Sequence, residues 1–152
     1  MARSHLLQTQ QWLPRPPAAV FPFFADAFNL ELIMPPELQF HIATPGPICM
    51  QVGTLIAYRL RLFGVPFTWL TRIALWEPPH HFIDEQLAGP YRLWVHTHTF
   101  SPWAGGTFMT DRVVYQLPLF PLGELALPLV KLQLQRIFAY RRQIIAQLLG
   151  GF

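Results

Sequence analysis

The stretch that decides the fold is residues 89–100, GPYRLWVHTHTF. It opens on a glycine–proline turn and then alternates between larger apolar and more polar side chains, a pattern typical of a β-strand. Because successive side chains of a strand point to opposite faces, every second residue shares one wall. That wall consists of Trp94, His96, His98 and Phe100. Two aromatic rings and two imidazoles on one face predict an apolar surface that carries a few polar groups.

Alternating segments on both sides of this stretch predict a sheet. Strands are expected near residues 5–13, 39–43, 54–63, 66–77, 81–87, 91–101 and 107–117. The connections FGVP, EPPH, AGP and WAGG are short and contain turn-forming residues. Short links join antiparallel neighbours, so the later strands are expected to form a meander.

Helices are predicted outside the meander. Pro16 and Pro17 stand where a helix can begin, because its first turn needs no amide donors from them, and residues 18–24 continue as a short apolar helix. Asp26 is a suitable N-cap for a second short helix that ends before Pro35. Residues 128–149 predict a long helix with one apolar stripe at three- and four-residue steps. The stripe contains Val130, Leu134, Ile137, Phe138, Arg141, Ile145 and Leu148.

The composition limits the classes of protein. Of the 152 residues, 52% are hydrophobic and only 12% are charged, about half of the usual 25%. Much apolar surface must therefore be hidden in a core, a cavity or a partner. The net charge of +3 includes no long basic run of the kind that binds nucleic acid. We expect Arg136, Arg141 and Arg142 at a solvated C-terminal helix end, where cations interact favourably with the negative end of the helix dipole.

Cysteine content and hydropathy indicate the compartment. Cys49 is the single cysteine, which excludes an internal disulfide framework. No apolar run reaches the roughly 20 residues of a membrane span, and the first residues lack the apolar centre of a secretion signal. We expect a cytoplasmic protein without stable membrane insertion, built as one domain over residues 1–152.

The inward-facing positions of the predicted sheet form a largely apolar wall with embedded polar groups, as small-molecule sites do. The residues expected to contact a ligand are Tyr58, Trp69, Gln86, Trp94, Phe100, Met109, Tyr115 and, on the long helix, Phe138. The candidates for acid–base chemistry are His96, His98, Asp84 and Asp111. A carboxylate beside a histidine orients the ring and raises its pKa toward neutrality. The same four side chains would equally serve as a buried hydrogen-bond network that fixes the sheet.

A metal site is the weaker interpretation of these residues. His96 and His98, together with Asp84 or Asp111, would make a two-histidine, one-carboxylate set. The two histidines of a short HxH motif are a weak signal by themselves. We therefore predict no metal and no cofactor.

Four phrases carry a family resemblance over essentially the whole chain: VFPFFADAFNLELIMP, GTLIAYRLRLFGVPFTWLTRI, WEPPHHFIDEQLAGPYRLWVHTHTF and GTFMTDRVVYQLP. They resemble the START-related, birch-pollen-allergen-like superfamily called SRPBCC, and within it a bacterial branch described as ligand-binding or polyketide cyclase/dehydrase-like. The resemblance implies an α+β helix-grip fold. In that fold a curved antiparallel sheet wraps around a long C-terminal helix, two short helices follow the first strand, and apolar ligands bind between sheet and helix.

Three functions stay open at this stage. The first is cofactor-free binding of a hydrophobic small molecule such as a lipid, polyketide or isoprenoid. The second is an enzyme of the cyclase or dehydratase type that uses His96 or His98 with Asp84 or Asp111. The third is a protein-interaction module, which includes a homo-oligomer. Carrier and enzyme need the same lined pocket, so residue types alone do not separate them.

Overall fold

The computed structural model describes residues 2–150, and the elements follow the predicted order. The strands are β1 Ser4–Leu13, β2 His41–Ile42, β3 Leu55–Leu62, β4 Val65–Glu77, β5 His81–Ala88, β6 Leu93–Trp103 and β7 Gly106–Gln116. The α-helices are α1 Pro17–Ala25, α2 Leu30–Ile33 and α3 Leu127–Leu149. Among the described residues, no helix combines the length and the apolar character needed to cross a membrane.

The seven strands found in residues 2–150 form one antiparallel sheet in the order β1-β7-β6-β5-β4-β3-β2. The short connections between β3 and β7 produce the predicted meander, and β1 returns to pair with β7. The long helix α3 packs against the inner face of this sheet, which confirms the α+β helix-grip fold. The register places Asp84 opposite His96 and Asp111 opposite His98, so β5, β6 and β7 bring four candidate residues together.

The segment between β1 and β3 differs in detail from the expectation. Oδ1 of Asp26 accepts a hydrogen bond from the backbone N–H of Phe28 at 3.0 Å, as an N-cap does. It caps a 3-10 turn, Ala27–Asn29, and the α-helical part that follows is only α2. A second 3-10 turn, Pro36–Leu38, ends at Gln39 in the left-handed region, which leaves β2 only two residues.

Within the described part of the chain, two hydrophobic clusters lie between the sheet and α3. The cluster that we call the packed end includes Phe21, Phe24, Phe82, Phe100 and Ile145. The cluster that we call the cavity end includes Tyr58, Trp69, Trp94, Leu134 and Phe138.

Strand alternation fails at one place in β4. The register between β4 and β5 shifts between Ile73 and Leu75, as it does at a β-bulge, and this moves the next residue to the inner face. Trp76 therefore packs on Phe21 at a centroid distance of 5.2 Å, in the inward position expected for Leu75. On α3, Leu149 is buried and Leu148 is exposed, so the stripe ends one residue later than predicted.

Candidate functional site

A cavity of about 100 Å³ lies at the cavity end, between the inner face of the sheet, α2 and α3. Space of about 10–15 Å³ holds one water, so the cavity has room for several waters or part of an organic molecule. Its aliphatic lining is Leu30, Met34, Leu38, Leu60, Leu62, Leu134 and Ile137. Its aromatic lining is Phe40, Tyr58, Trp69, Tyr91, Trp94 and Phe138. Its polar lining is Thr71, Asp84, His96, His98 and Arg141.

The aromatic wall is a packed group rather than a set of separate rings. Trp69 meets Trp94 edge-on at a centroid distance of 5.1 Å and Tyr91 at 5.7 Å. Tyr91 in turn lies 4.8 Å from Trp94. Such contacts hold each ring in one orientation, so this wall has a fixed shape.

The polar end of the cavity is a ring of two histidines and two carboxylates. Nε2 of His98 lies 2.6 Å from Oδ2 of Asp84, and Nε2 of His96 lies 2.8 Å from Oδ1 of Asp111. The second nitrogens complete the ring: Nδ1 of His98 is 3.3 Å from Asp111, and Nδ1 of His96 is 3.9 Å from Asp84. The imidazoles stack at a centroid distance of 3.6 Å. We call these four residues the His–Asp ring.

Burial and the neighbouring charges shift the pKa values of the His–Asp ring in different directions. Burial opposes ionisation of both carboxyls, but Arg141 and His96 hold the pKa of Asp111 well below its ordinary value. The hydrogen bond from His98 likewise lowers the pKa of Asp84 against the effect of burial. Burial also opposes protonation of His98, yet its contacts with both carboxylates raise its pKa. Burial and the neighbouring His98 lower the pKa of His96. Contact with the carboxylates therefore favours the protonated form of His98, whereas burial favours the neutral form of His96.

Arg141 supplies the remaining charge, and here the sequence-based expectation was wrong. It was expected at a solvated helix end, but only 3% of its surface is exposed. Its Nη2 lies 3.3 Å from Oδ1 of Asp111, and its guanidinium lies over the rings of Phe24 and Phe138. Arg136 and Arg142 are exposed as expected, so only the residue within the apolar stripe turns inward. Arg141 thus places a positive charge beside the carboxylate of Asp111, in addition to the charge that both carboxylates favour on His98.

Seven of the twelve predicted site residues line the cavity: Tyr58, Trp69, Asp84, Trp94, His96, His98 and Phe138. Asp111 lies behind the histidines and contacts the cavity through them. Burial and the charge of Asp84 raise the pKa of Tyr58, so its hydroxyl stays protonated and can donate a hydrogen bond.

The other four predicted residues lie elsewhere. Phe100 and Met109 belong to the packed end. Tyr115 is buried, and the centroid of its ring lies 5.4 Å from that of His5. The side-chain amide of Gln86 turns back to the backbone of Tyr91, donating to its carbonyl at 2.6 Å and accepting from its N–H at 3.1 Å. Gln86 therefore closes the β5–β6 connection and does not line the cavity.

Sequence reasoning missed two kinds of lining residue. Tyr91 precedes β6 and does not follow the alternation that identified Trp94 and His96. Leu30, Met34 and Leu38 come from α2 and the turn after it, where the pattern predicts a helix without indicating its inward face. The available signal for Arg141 was its place within an apolar stripe, where a cation needs a buried anion.

Asp84, His96 and His98 offer ligand atoms that lie within 4.8 Å of one another, which is the spacing of a metal site. The orientation of the rings opposes this use. The lone pair of an imidazole nitrogen lies in the plane of its ring, and two nearly parallel stacked rings do not direct their lone pairs at one ion. The nitrogens are also already turned to carboxylates, and Arg141 adds a positive charge nearby.

Comparisons with known proteins relate the chain to others by its fold. No family model matches the chain, and no curated protein sequence matches it significantly. The structure of TTHA0849 from Thermus thermophilus superposes with a TM-score of 0.73 at 17% identity, over 94% of this chain and 98% of that one. The Zhui aromatase/cyclase from Streptomyces sp. R1128 gives a TM-score of 0.73 at 15% identity, over 94% and 92%. Ginseng major latex-like protein 151 from Panax ginseng gives 0.67 at 11% identity, over 96% and 97%.

Proposed function

We propose that this chain, which has the helix-grip fold of the SRPBCC superfamily, binds a hydrophobic small molecule in the cavity between its sheet and α3. The observation that carries the proposal is the cavity itself, with a rigid aromatic wall on one side and the His–Asp ring at one end. Burial of apolar ligand surface against such a wall supplies the free energy of binding. A lipid, a polyketide or an isoprenoid has the required apolar surface.

Native mass spectrometry of the purified protein, followed by solvent extraction, tests this proposal. We expect a defined lipophilic molecule to accompany the wild-type chain. Leu60→Trp should abolish that binding, because Leu60 lines the cavity and the larger ring fills it. Leu55→Trp is the matched control, since Leu55 lies on the same strand with half of its surface exposed. Equal amounts of bound molecule in both variants would contradict a site in this cavity.

An enzyme of the cyclase or dehydratase type is the second candidate, and the contact between His96, which lines the cavity, and Asp111 behind it favours it. In such a reaction the neutral imidazole of His96 takes a proton from the carbon beside a carbonyl group. The electron pair left on that carbon forms the new double bond as a hydroxyl on the next carbon leaves, and the imidazolium returns its proton to that hydroxyl, which departs as water. Asp111 would hold the ring and stabilise the imidazolium that forms, while Tyr58 would donate a hydrogen bond to the carbonyl oxygen.

A β-hydroxy ketone with an aromatic substituent is a suitable substrate for the test of this candidate. We expect dehydration that depends on the protonation of a histidine and that His96→Gln abolishes. Binding of the unreactive parent ketone serves as the control for folding. Loss of turnover with retained binding supports the enzyme, whereas unchanged turnover in His96→Gln would exclude this histidine as the base.

Self-association is the third candidate. Leucines on the outer side of residues 119–132 are largely exposed, and apolar surface of this kind is typical of interfaces. They are Leu119, Leu122, Leu125, Leu129 and Leu132. The corresponding measurement is the mass of the protein in solution at several concentrations.

A further inference from the structure

Four buried side-chain atoms in the cavity wall have no hydrogen-bond partner among residues 2–150. They are Nε1 of Trp69, Oγ1 of Thr71, Nδ1 of His98 and Nε of Arg141, and all four side chains line the cavity. The nitrogens of Trp69 and Arg141 can only donate, and these two side chains are 7% and 3% exposed. Buried polar groups in proteins are nearly always paired, because an unpaired donor has lost its water and gained nothing in exchange. Two such donors around one cavity indicate that a bound molecule supplies the missing acceptors.

The two donors come from different elements and are held in place independently. Trp69 is on β4 and is fixed by its edge-on contacts with Trp94 and Tyr91. Arg141 is on α3 and is fixed by Asp111 and by the ring of Phe138. An indole and a guanidinium have donors only, so their partner must be an acceptor. Carbonyl, ether and hydroxyl oxygens on the ligand meet that requirement.

The charges around the cavity indicate that the acceptor carries no charge. Arg141 is already paired with Asp111, and the imidazole of His98 is already paired with Asp84. A ligand carboxylate would add a negative charge, and among residues 2–150 no Lys or Arg other than Arg141 lines the cavity to neutralise it. Within this largely apolar wall a charge is screened less than in bulk water, so the site favours a neutral oxygen over a carboxylate.

We propose that the ligand is a neutral, oxygen-bearing apolar molecule whose oxygen atoms accept hydrogen bonds from Nε1 of Trp69 and Nε of Arg141. This inference rests on the proposed binding function and adds the chemistry of the ligand. It makes Trp69 a residue that determines specificity, in addition to its place in the aromatic wall. It also separates this cavity from one that carries free fatty acids.

Three probes with one ring system test the inference. They are 2-ethylnaphthalene, 2-acetylnaphthalene and 2-naphthoate, which present a hydrocarbon, a neutral ketone and a carboxylate of similar size. Their affinities are measured by calorimetry on the wild type, on Trp69→Phe and on Trp76→Phe. Trp76 is the matched control, because it lies on the same strand at the packed end. The ratio of ketone affinity to hydrocarbon affinity cancels the general loss of apolar contact in each variant.

We expect Trp69→Phe to lower this ratio about three- to tenfold, the value of one hydrogen bond, and Trp76→Phe to leave it unchanged. We expect Arg141→Lys, which keeps the charge beside Asp111 and removes Nε, to lower it as well. The wild type should bind the ketone more tightly than the carboxylate. Two results would overturn the inference and leave the binding function intact. The first is a ratio of ketone affinity to hydrocarbon affinity that is the same in the wild type, Trp69→Phe and Arg141→Lys. The second is a carboxylate that binds as tightly as the ketone. Failure of all three probes to bind would instead contradict the binding function and this inference with it.

Discussion

The two ends of the space between sheet and helix are built from the same strands and the same helix, yet only one of them is filled. At the packed end, Phe21 of α1 meets Phe100 at 5.2 Å and Phe82 at 5.8 Å, both edge-on. At the cavity end, α2 and the turn after it contribute aliphatic side chains that surround a space of about 100 Å³. The comparison teaches that the small covering helices, and not the sheet, decide where this fold has room for a ligand.

The His–Asp ring lies between these two ends and contacts both. Phe82 of the packed end stacks on His98 at a centroid distance of 4.0 Å. Phe138 of the cavity end meets His96 at 5.7 Å. The ring is therefore supported by solid packing on one side and open to the cavity on the other. Such an arrangement holds a titratable group rigidly while a ligand reaches it.

The largest expected difference between the two ends is in stability. Phe100→Ala should lower the free energy of unfolding by about 4 kcal/mol, because Phe100 is 1% exposed and its neighbours cannot close the space. Trp94→Ala should cost less, about 3 kcal/mol, because part of this ring borders an existing cavity, where it contacts no protein atoms. Trp94→Ala should in turn weaken ligand binding more than Phe100→Ala does. Urea unfolding and binding of the extracted ligand measure both, and equal stability losses would show that the cavity end is packed as tightly as the other.

The next effect concerns the boundary between the ends. Arg141→Met should lower the free energy of unfolding by about 3 kcal/mol, because Asp111 stays buried without its cation. Removal of both charges in Arg141→Met/Asp111→Asn should restore about half of that loss. A double variant that is less stable than Arg141→Met would mean that Asp111 stabilises the fold mainly through its contact with His96. The cycle is measured by urea unfolding near neutral pH.

Strand alternation predicted much of this arrangement. The period of two is imposed by the backbone, so Trp94, His96 and His98 could be assigned to one face from the sequence alone. The assignment failed where the backbone departs from that period. The bulge before Leu75 turns Trp76 inward, and the irregular connection before β6 places Tyr91 in the cavity wall.

The polar contacts were harder to predict, because each joins residues far apart in the chain. The sequence placed His98 and Asp111 on neighbouring strands but gave no register for their pairing. Arg141 reaches Asp111 across 30 residues, and an arginine near a helix end is exposed in most proteins. Gln86 lies two residues after Asp84, which predicts the same strand face for both, yet the amide of Gln86 is hydrogen-bonded to the backbone of Tyr91. Side-chain partners of this kind follow from packing rather than from periodicity.

The dependence of stability on pH gives a smaller effect that reports on the His–Asp ring. The lowered pKa values of Asp84 and Asp111 stabilise the fold above about pH 4, and this contribution is lost as the pH falls through them. The lowered pKa of His96 adds to the loss below about pH 6.5, where the unfolded chain takes up a proton first. The raised pKa of His98 stabilises the fold below about pH 6.5 and loses its effect as the pH rises through the folded value.

We therefore expect the free energy of unfolding to fall on both sides of a maximum in the weakly acidic range. Asp84→Asn should flatten the decline on the alkaline side, because it removes the carboxylate nearest to Nε2 of His98. His80→Asn, which changes an exposed histidine, is the control and should leave the profile unchanged. A wild-type profile that rises from pH 6 to pH 8 would show that His98 is neutral in the folded chain.

The smallest expected effect on stability lies on the outer side of the segment that leads into α3. Glu124 fixes that segment to β1 through His5 at 2.9 Å, so its leucines are held outward while the carboxylate is turned in. Leu125→Gln/Leu129→Gln should change the free energy of unfolding by no more than about 0.5 kcal/mol, because both side chains are already in solvent. If the chain self-associates through this face, light scattering will show a wild-type mass that rises with concentration and a double variant that stays monomeric. A wild type that is monomeric throughout would remove the self-association candidate and leave the cavity as the only apolar feature of the described residues to which we assign a function.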